Sequence, residues 1–173
     1  MRSFVQRCTG AVTLWAAVLA ASSCGVLHPP GALPPGTSID EARHSMGGPT
    51  GEFALPNGGT RLEFARGSFG RQTFMLDFDA NGRLFSNQQV LTPNMFATIK
   101  PGMSQVDVLS RIGRPAFVFP VGWQQLQVWN YRFGGLEGDC FVFQVSISNS
   151  TRVVTEAGQG PDPACTGGDH GRD

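Results

Sequence analysis

The sequence predicts an α+β protein built from two tandem small units, each a short helix packed on an antiparallel sheet. The first observation is a repeated segment: PGTSIDEARHSMGGP from Pro35 to Pro49 and PGMSQVDVLSRIGRP from Pro101 to Pro115 share Pro, Gly, Ser, Gly and Pro at the same five positions. The second is a run of alternating apolar residues downstream of each segment, the period-two pattern of a half-buried strand. The third is a set of Gly-, Pro- and Asn-rich spacers between these runs, typical of turns. The second unit is expected to be the better formed.

Each repeated segment carries the start and stop signals of one helix. A serine at the N-cap accepts a backbone N–H, and an acid three residues later completes a capping box. A glycine with a left-handed backbone then ends the helix, and a proline prevents its continuation. These residues are Ser38, Glu41, Gly47 and Pro49 in the first segment, and Ser104, Asp107, Gly113 and Pro115 in the second. In the second helix we expect Val106, Leu109 and Ile112 to point inward.

The strands follow from alternation and turn chemistry. In the first unit we expect strands around Phe53, through Leu62 and Phe64, from Phe74 to Phe78, and from Arg83 to Val90. In the second unit Thr92-Pro93 begins a short helix over Asn94 to Thr98. Phe117 and Phe119 alternate after it, Pro120-Val121-Gly122 reads as a turn, and strands are expected over 128–133, 141–147 and 152–155. Matching the units by eye aligns Leu62 and Phe64 with Trp129 and Tyr131, and Phe74, Leu76 and Phe78 with Phe141, Phe143 and Val145.

The N-terminal region is typical of a secreted protein that is lipid-anchored. Arg2 and Arg7 precede an apolar run from Ala11 to Ala21, which is too short to span a bilayer stably. Ala21, Ser22 and Ser23 before Cys24 resemble a bacterial lipobox, which implies cleavage before Cys24 and acylation of that cysteine. The absence of Asp after Cys24 then points to the outer membrane. The alternative is ordinary cleavage near Ser23, which would leave a soluble periplasmic protein.

The composition argues against a nucleic-acid partner. Removing two of the 13 basic residues with the signal leaves 11 against 13 acidic, a net charge of −2. Nucleic-acid binding would require a concentrated basic face.

Two cysteines remain after the signal and the lipid site. Cys140 and Cys165 are an even pair in an oxidising compartment and would close a 25-residue loop, which stabilises the folded chain by about 3 kcal/mol. A metal site that uses both thiols and His170 is the alternative.

No pattern for catalysis stands out. Asp77-Phe78-Asp79-Ala80-Asn81-Gly82 matches the first half of a calcium loop, but position twelve, which needs a bidentate carboxylate, is Gln88. We therefore interpret the segment as a hairpin turn with Asp77 and Asp79 on its solvent side. His28, His44 and His170 have no Ser or Cys partner in a recognisable motif, and no cofactor is expected.

The aromatic residues divide into core and surface. Trp129 and Tyr131 lie two apart on one strand face, which favours packing on the sheet. Trp123 follows Gly122 in a turn and is expected to be exposed. We predict that Trp123 and its neighbour Phe119 line a partner site, because exposed aromatic residues commonly anchor interfaces.

Over residues 92–154 the chain resembles the SmpA/OmlA domain of the BamE family of outer-membrane lipoproteins. The resemblance is carried by Gly102-Met103-Ser104, Val106 with Leu109, Gly113-Arg114-Pro115 and Trp129-Asn130-Tyr131. It implies two helices on a three-stranded antiparallel sheet. It also implies a non-enzymatic lipoprotein on the periplasmic face of the outer membrane, bound to a partner in the outer-membrane assembly machinery or supporting envelope integrity. No small-molecule substrate is expected.

A degenerate first copy departs from that family pattern. Asp40 stands in place of Val106, and Leu62 and Phe64 in place of the Trp and Tyr. A tandem of such units resembles the architecture of the β-lactamase inhibitor protein, which implies an alternative function: an inhibitor or sequestering module with a concave double-sheet face. The expected organisation is a signal peptide (1–23), a Pro-rich tether (24–36), a first repeat (37–91), a second repeat (92–156) and a Gly/Pro-rich tail (157–173).

Overall fold

The computed structural model describes residues 33–66, 71–134 and 140–163. The expected signal peptide, Cys24, His28, Cys165 and His170 lie outside these ranges. The described chain contains short helices and two four-stranded antiparallel sheets. The predicted α+β class is therefore confirmed at this level.

Both halves contain a helix followed by four strands, and the second half adds a preceding short helix and a 3₁₀ turn. The first half contains α1 (Ile39–Met46), β1 (Gly51–Ala54), β2 (Thr60–Arg66), β3 (Gln72–Phe78) and β4 (Leu84–Gln89). The second contains α2 (Pro93–Phe96), α3 (Gln105–Ile112), β5 (Phe117–Val121), a 3₁₀ turn (Gly122–Gln124), β6 (Leu126–Gly134), β7 (Cys140–Ser148) and β8 (Val154–Pro161). Each sheet is a meander in chain order: β1 to β4 form the first sheet, and β5 to β8 form the second. The three-stranded sheet that the family resemblance implied for residues 92–154 is thus wrong, because the second sheet has four strands.

The predicted caps form as the local sequence requires. Ser104 accepts a hydrogen bond from the Asp107 N–H (3.1 Å), while the Asp107 carboxylate accepts one from the Ser104 N–H (3.3 Å), which completes a capping box. Ser38 makes the first of these two contacts, to the Glu41 N–H (3.2 Å). Gly47 and Gly113 end the helices with φ of +80° and +78° and ψ of −167° and −164°, a backbone region that is essentially restricted to glycine.

Each sheet buries one apolar face beneath its own helices. In the first half Ala42 and Met46 of α1 pack on Leu62, Phe64 and Leu76. In the second half the core combines α2 and α3 with the facing side of the second sheet, and its buried members are Leu91, Phe96, Ile99, Val108, Ile112, Trp129, Tyr131, Phe133, Phe143, Val145, Ile147 and Val154. Trp129 and Tyr131 are buried side by side, as the alternation predicts.

Helix α3 also contacts the first sheet, on the face opposite to α1. The Arg61 guanidinium donates to the Ser110 carbonyl oxygen (2.7 Å), and the Arg114 N–H donates to the Glu63 carboxylate (3.1 Å). The layers therefore run in the order α1, first sheet, α3, second sheet. One helix is shared between the two sheets.

Because α3 lies between the two sheets, two of the side-chain predictions are wrong. Val106 was expected to point inward, but its side chain is 66% exposed, and Val108 occupies the buried position instead. Asp77 was expected on the solvent side, but it is buried beneath α3 and both its oxygens accept hydrogen bonds from Arg61. The alternation on β3 was detected correctly, but both of its faces are covered.

Two strand boundaries also differ from the predictions. Pro120 and Val121 belong to β5 rather than to a turn, because β5 is an edge strand where proline is tolerated. β8 continues to Pro161 and pairs with β7, so the prediction that the tail begins at Ala157 is wrong for residues 157–161. Gly158 and Gly160 lack the side-chain pattern that identifies a strand.

The register of the sheets revises the alignment of the two halves. Leu62 pairs with Leu76, whereas Trp129 pairs with Val145. Each sheet also has a bulge, between Asp77 and Phe78 in the first and between Ser146 and Ile147 in the second. β2 thus aligns with β6 as predicted, with Leu62 as the counterpart of Trp129. β3 aligns with β7 two residues further along than predicted, so Leu76 is the counterpart of Val145 rather than of Phe143.

Candidate interaction surface on the second sheet

One face of the second sheet carries no helix among the described residues. We call it the outer face; the strand register places on it Phe117, Phe119, Val128, Asn130, Arg132, Val142, Gln144, Ser146, Glu156, Gly158 and Gly160. Asn130 and Val142 are buried, whereas Phe119, Gln144 and Glu156 are exposed. Phe119 is 59% exposed there. An exposed aromatic side chain on a sheet face that carries no described helix is a candidate anchor for a partner.

Phe119 lines a shallow hollow of about 480 Å³ on the outer face, together with Phe117, Arg132, Asp162 and Pro163. The Phe117 and Phe119 rings meet edge to face with centroids 5.2 Å apart. The Arg132 guanidinium lies 4.9 Å from the Phe117 ring centroid and pairs with the buried Asp162 carboxylate (3.0 Å). This charge is held in place by its neighbours, so the open part of the hollow is mainly aromatic.

Trp123 lies at the end of the β5–β6 hairpin, in the 3₁₀ turn, and its side chain is 85% exposed. Gln125, two residues further on, has φ of +54°, and its carbonyl accepts a hydrogen bond from the Asn149 N–H (2.9 Å). The turn that carries Trp123 is therefore bonded to the turn between β7 and β8. Trp123 is exposed as expected, but it does not line the hollow that contains Phe119, so a joint site remains a prediction.

A second concavity lies between the first sheet and α3. This groove has a volume of about 840 Å³ and is lined mainly by Phe53, Leu55, Met75, Val90, Met95 and Val106, with Arg61, Asp77 and Arg111. Arg61 binds both Asp77 oxygens (2.6 and 2.7 Å), and this hydrogen bonding raises the pKa of Arg61 above its usual value. Arg61 and Asp77 are therefore already paired with each other in the groove.

A buried polar cluster lies behind the groove where α3 ends. Glu63 is fully buried; one carboxylate oxygen accepts from the Arg114 N–H, and the other has no hydrogen-bond partner among the described residues. The Tyr131 hydroxyl donates to the Gly113 carbonyl oxygen (3.0 Å). Burial raises the pKa of Tyr131 well above its normal value, and the nearby Glu63 charge raises it further. Within this cluster, the hydrogen bond from the Arg114 N–H to Glu63 joins the two halves.

The described residues contain no group of His, Cys, Asp and Glu that could hold a metal ion. Asp77 of the calcium-loop pattern is bonded to Arg61, and Asp79 accepts the Asn81 and Arg83 N–H groups of its own turn (2.9 Å each). His44 is exposed on α1. Cys140 is disulfide-bonded; its predicted partner Cys165, and the His170 of the rival metal site, lie outside the described ranges.

Sequence reasoning missed Arg61, Glu63 and Asp77 as residues that join the halves. They alternate with apolar residues along β2 and β3, a pattern that is typical of an exposed sheet face. Nothing local in the sequence distinguishes a polar face that meets water from one that meets a second helix.

Within the part of the chain that the structure describes, no helix is both long and apolar enough to cross a membrane. Comparison with protein-family models, with curated proteins and with solved structures finds no match. The functional interpretation therefore depends on the residues themselves.

Proposed function

We propose that this protein is a lipoprotein anchored through Cys24 to the periplasmic face of the outer membrane, where it acts as a non-catalytic binding or scaffold subunit. Its partner would belong to the machinery that assembles outer-membrane proteins or maintains the envelope, as the resemblance to the SmpA/OmlA domain implies. The observation that carries the proposal is the exposed Phe119 on a sheet face that no described helix covers. The lipobox-like Ala21–Cys24 segment supports the proposed lipid anchoring at the membrane.

The membrane address is tested by mass spectrometry of the mature N-terminus. We expect a chain that begins at Cys24 and carries diacylglyceryl and N-acyl groups, and that partitions with the envelope. Cys24→Ser should release the chain to the soluble periplasm without changing its fold. An unmodified N-terminus near Ser23 would contradict the address while leaving the binding role open.

The binding role is tested by affinity purification and cross-linking of the lipidated protein from its own envelope. We expect enrichment of assembly-machinery subunits, reduced by Phe119→Ala and by Trp123→Ala. Phe85→Ala is the matched control, because Phe85 is 53% exposed but lies on β4 of the first sheet. If neither Phe119→Ala nor Trp123→Ala changes the recovered set, the proposed surface is wrong.

The alternative function is inhibition or sequestration of a periplasmic enzyme. The open hollow around Phe119 supports this alternative, because it is large enough to accept side chains of a protein loop. The face of the first sheet that would complete a concave double-sheet surface is occupied by α3, so an inhibitor would have to use the outer face of the second sheet. Cross-linking would then identify a soluble hydrolase rather than assembly subunits.

A further inference from the structure

The same face of each sheet has a different environment in the two halves. The row of paired residues Phe53, Arg61 and Asp77 in the first sheet corresponds to the row Phe119, Val128 and Ser146 in the second. Both rows lie beside the bulge, between Asp77 and Phe78 or between Ser146 and Ile147. Position by position, Phe119 is therefore the counterpart of Phe53.

In the first half this face is covered by a helix. α3 lies over it and is fastened by Arg61 to the Ser110 carbonyl and by Glu63 to the Arg114 N–H. Phe53 faces the groove into which Val106 of α3 also projects. In the second half the equivalent Phe119 meets no described helix. The first half thus shows that an α-helix can pack on this face of the sheet.

We propose that the exposed part of the outer face, at Phe119, Val128 and Ser146, is the docking site for an amphipathic α-helix of a partner protein. The helix would cover Val128 and Ser146 as α3 covers their counterparts Arg61 and Asp77. This inference concerns the same surface as the proposed function and rests on it for the existence of a partner. It adds the kind of segment that binds.

The side chains of the outer face indicate which residues the docking helix should present. The first sheet offers α3 three ionisable side chains: Arg61, Glu63 and Asp77. Their counterparts on the outer face are Val128, Asn130 and Ser146, which are all uncharged. Asn130 is already bonded to Gln144 (2.8 Å) and to the Val128 carbonyl (2.9 Å). At the edges of the face Arg132 is paired with Asp162, and the exposed Glu156 lies beside Ser146. The docking helix should therefore present an apolar stripe with i, i+3, i+4 spacing to Phe119 and Val128, and no acidic residue beside Glu156.

The chain's own C-terminal residues do not supply such a helix. Pro163 lines the hollow, and the ten residues after it read ACTGGDHGRD. Three glycines and a single aliphatic residue in this segment provide neither helix propensity nor an apolar stripe. These residues therefore do not match the apolar stripe that the face would accept.

The test places a photo-cross-linker on the surface in the full-length protein. p-Benzoylphenylalanine replaces Phe119 or, separately, Ser146 in cells that make the protein natively, and the cross-linked peptide is identified by mass spectrometry. We expect adducts to one helical segment of a partner, with reacting residues three or four apart. In the Ser146 variant, Phe119→Glu should reduce the adduct about tenfold or more, as expected for loss of an aromatic anchor.

Two controls use the repeat itself. The cross-linker at Phe53 should react with α3 of the same chain, which shows that this register position reports a covering helix. The cross-linker at Val118, which lies on the same strand but on the opposite face, should not give the partner adduct. Circular dichroism of each purified variant establishes that it is folded.

The outcomes separate this inference from the proposed function. Adducts to an extended or loop segment of a partner, or to this chain's own residues 164–173, would overturn the helix-docking inference and leave the lipoprotein role standing. Absence of any adduct at both outer-face positions, with the Phe53 control positive, would overturn both the docking inference and the partner surface. Adducts to a soluble hydrolase's helix would support the docking mode and favour the inhibitor function.

Discussion

Gly47 and Gly113 end equivalent helices with the same backbone conformation, yet they have different neighbours. A methyl group added at Gly47 would approach only the end of the Arg66 side chain, at 4.0 Å. One added at Gly113 would lie 2.9 Å from the Thr73 methyl group and 3.0 Å from the Glu63 carboxyl carbon. The local sequence produces the same helix twice, and its place in the stack decides what it touches. The first helix has one sheet beneath it, whereas the second lies between two.

The largest expected effect is Gly113→Ala. The backbone strain of a non-glycine residue there costs about 1–3 kcal/mol, and the clash with Thr73 and Glu63 adds about 1–3 kcal/mol. Gly47→Ala has the strain without the clash and is the matched control. Urea unfolding should therefore show that Gly113→Ala destabilises more than Gly47→Ala. Equal losses would mean that α3 does not pack against the first sheet.

The next effect concerns the ion pair beneath α3. Asp77→Asn leaves the partly buried Arg61 without its compensating charge, and we expect a loss of about 2–3 kcal/mol in the free energy of unfolding. Glu52→Gln removes the exposed pair with Arg43 (2.9 Å) and should cost less than about 1 kcal/mol. Chemical denaturation of both variants measures the difference. If Asp77→Asn lost no more stability than Glu52→Gln, the Arg61–Asp77 pair would be as exposed to solvent as the Arg43–Glu52 pair.

Tyr131 provides a pH-dependent test of the buried cluster, and it is the one tyrosine of the chain. Its pKa is raised in the folded state, so its contribution to stability is fully present below about pH 10, the unfolded value, and is lost as pH rises above it. Tyrosinate absorbance at 295 nm should therefore appear together with unfolding. Titration of the hydroxyl in the folded protein near pH 10 would show that it is accessible.

The same site has a smaller mutational effect. Tyr131→Phe leaves the Gly113 carbonyl without its donor and should cost about 1–2 kcal/mol. It should also remove the tyrosine-linked fall in stability at alkaline pH. Its counterpart in the first sheet is Phe64, which has no hydroxyl, so the first half already contains the version without this bond.

The smallest effect is a stabilising one, at the hairpin that leads to the last strand of each sheet. Arg152 has φ of +58° where the first half has Gly82 with φ of +71°, and each carbonyl accepts the N–H of the first residue of a helix. Arg152→Gly should stabilise the protein by about 0.5–1 kcal/mol, because the left-handed strain on a side chain exceeds the added chain entropy of glycine. Gly82→Ala should do the opposite. Thermal denaturation resolves both, and a destabilised Arg152→Gly would contradict the equivalence of the two turns.

Features encoded by neighbouring residues could be predicted from the sequence. Ser38, Ser104 and Thr92 cap their helices as expected, because capping depends on residues within one turn. The faces of β2 and β6 were also assigned correctly. The roles of Arg61, Glu63, Asp77 and Val106 could not be predicted, since they depend on a contact between segments about 50 residues apart. Their polar or apolar character alone does not reveal what covers them.

The position of α3 also bears on whether either half can exist alone. If residues 33–91 were separated from α3, the fully buried Glu63 and the Arg61–Asp77 pair would face solvent. Only the opposite face of the first sheet would stay covered, by α1. The second half would keep its own helices and its aromatic core. We therefore expect the C-terminal half to fold on its own, and the N-terminal half to be stable only when it packs against α3 of the C-terminal half.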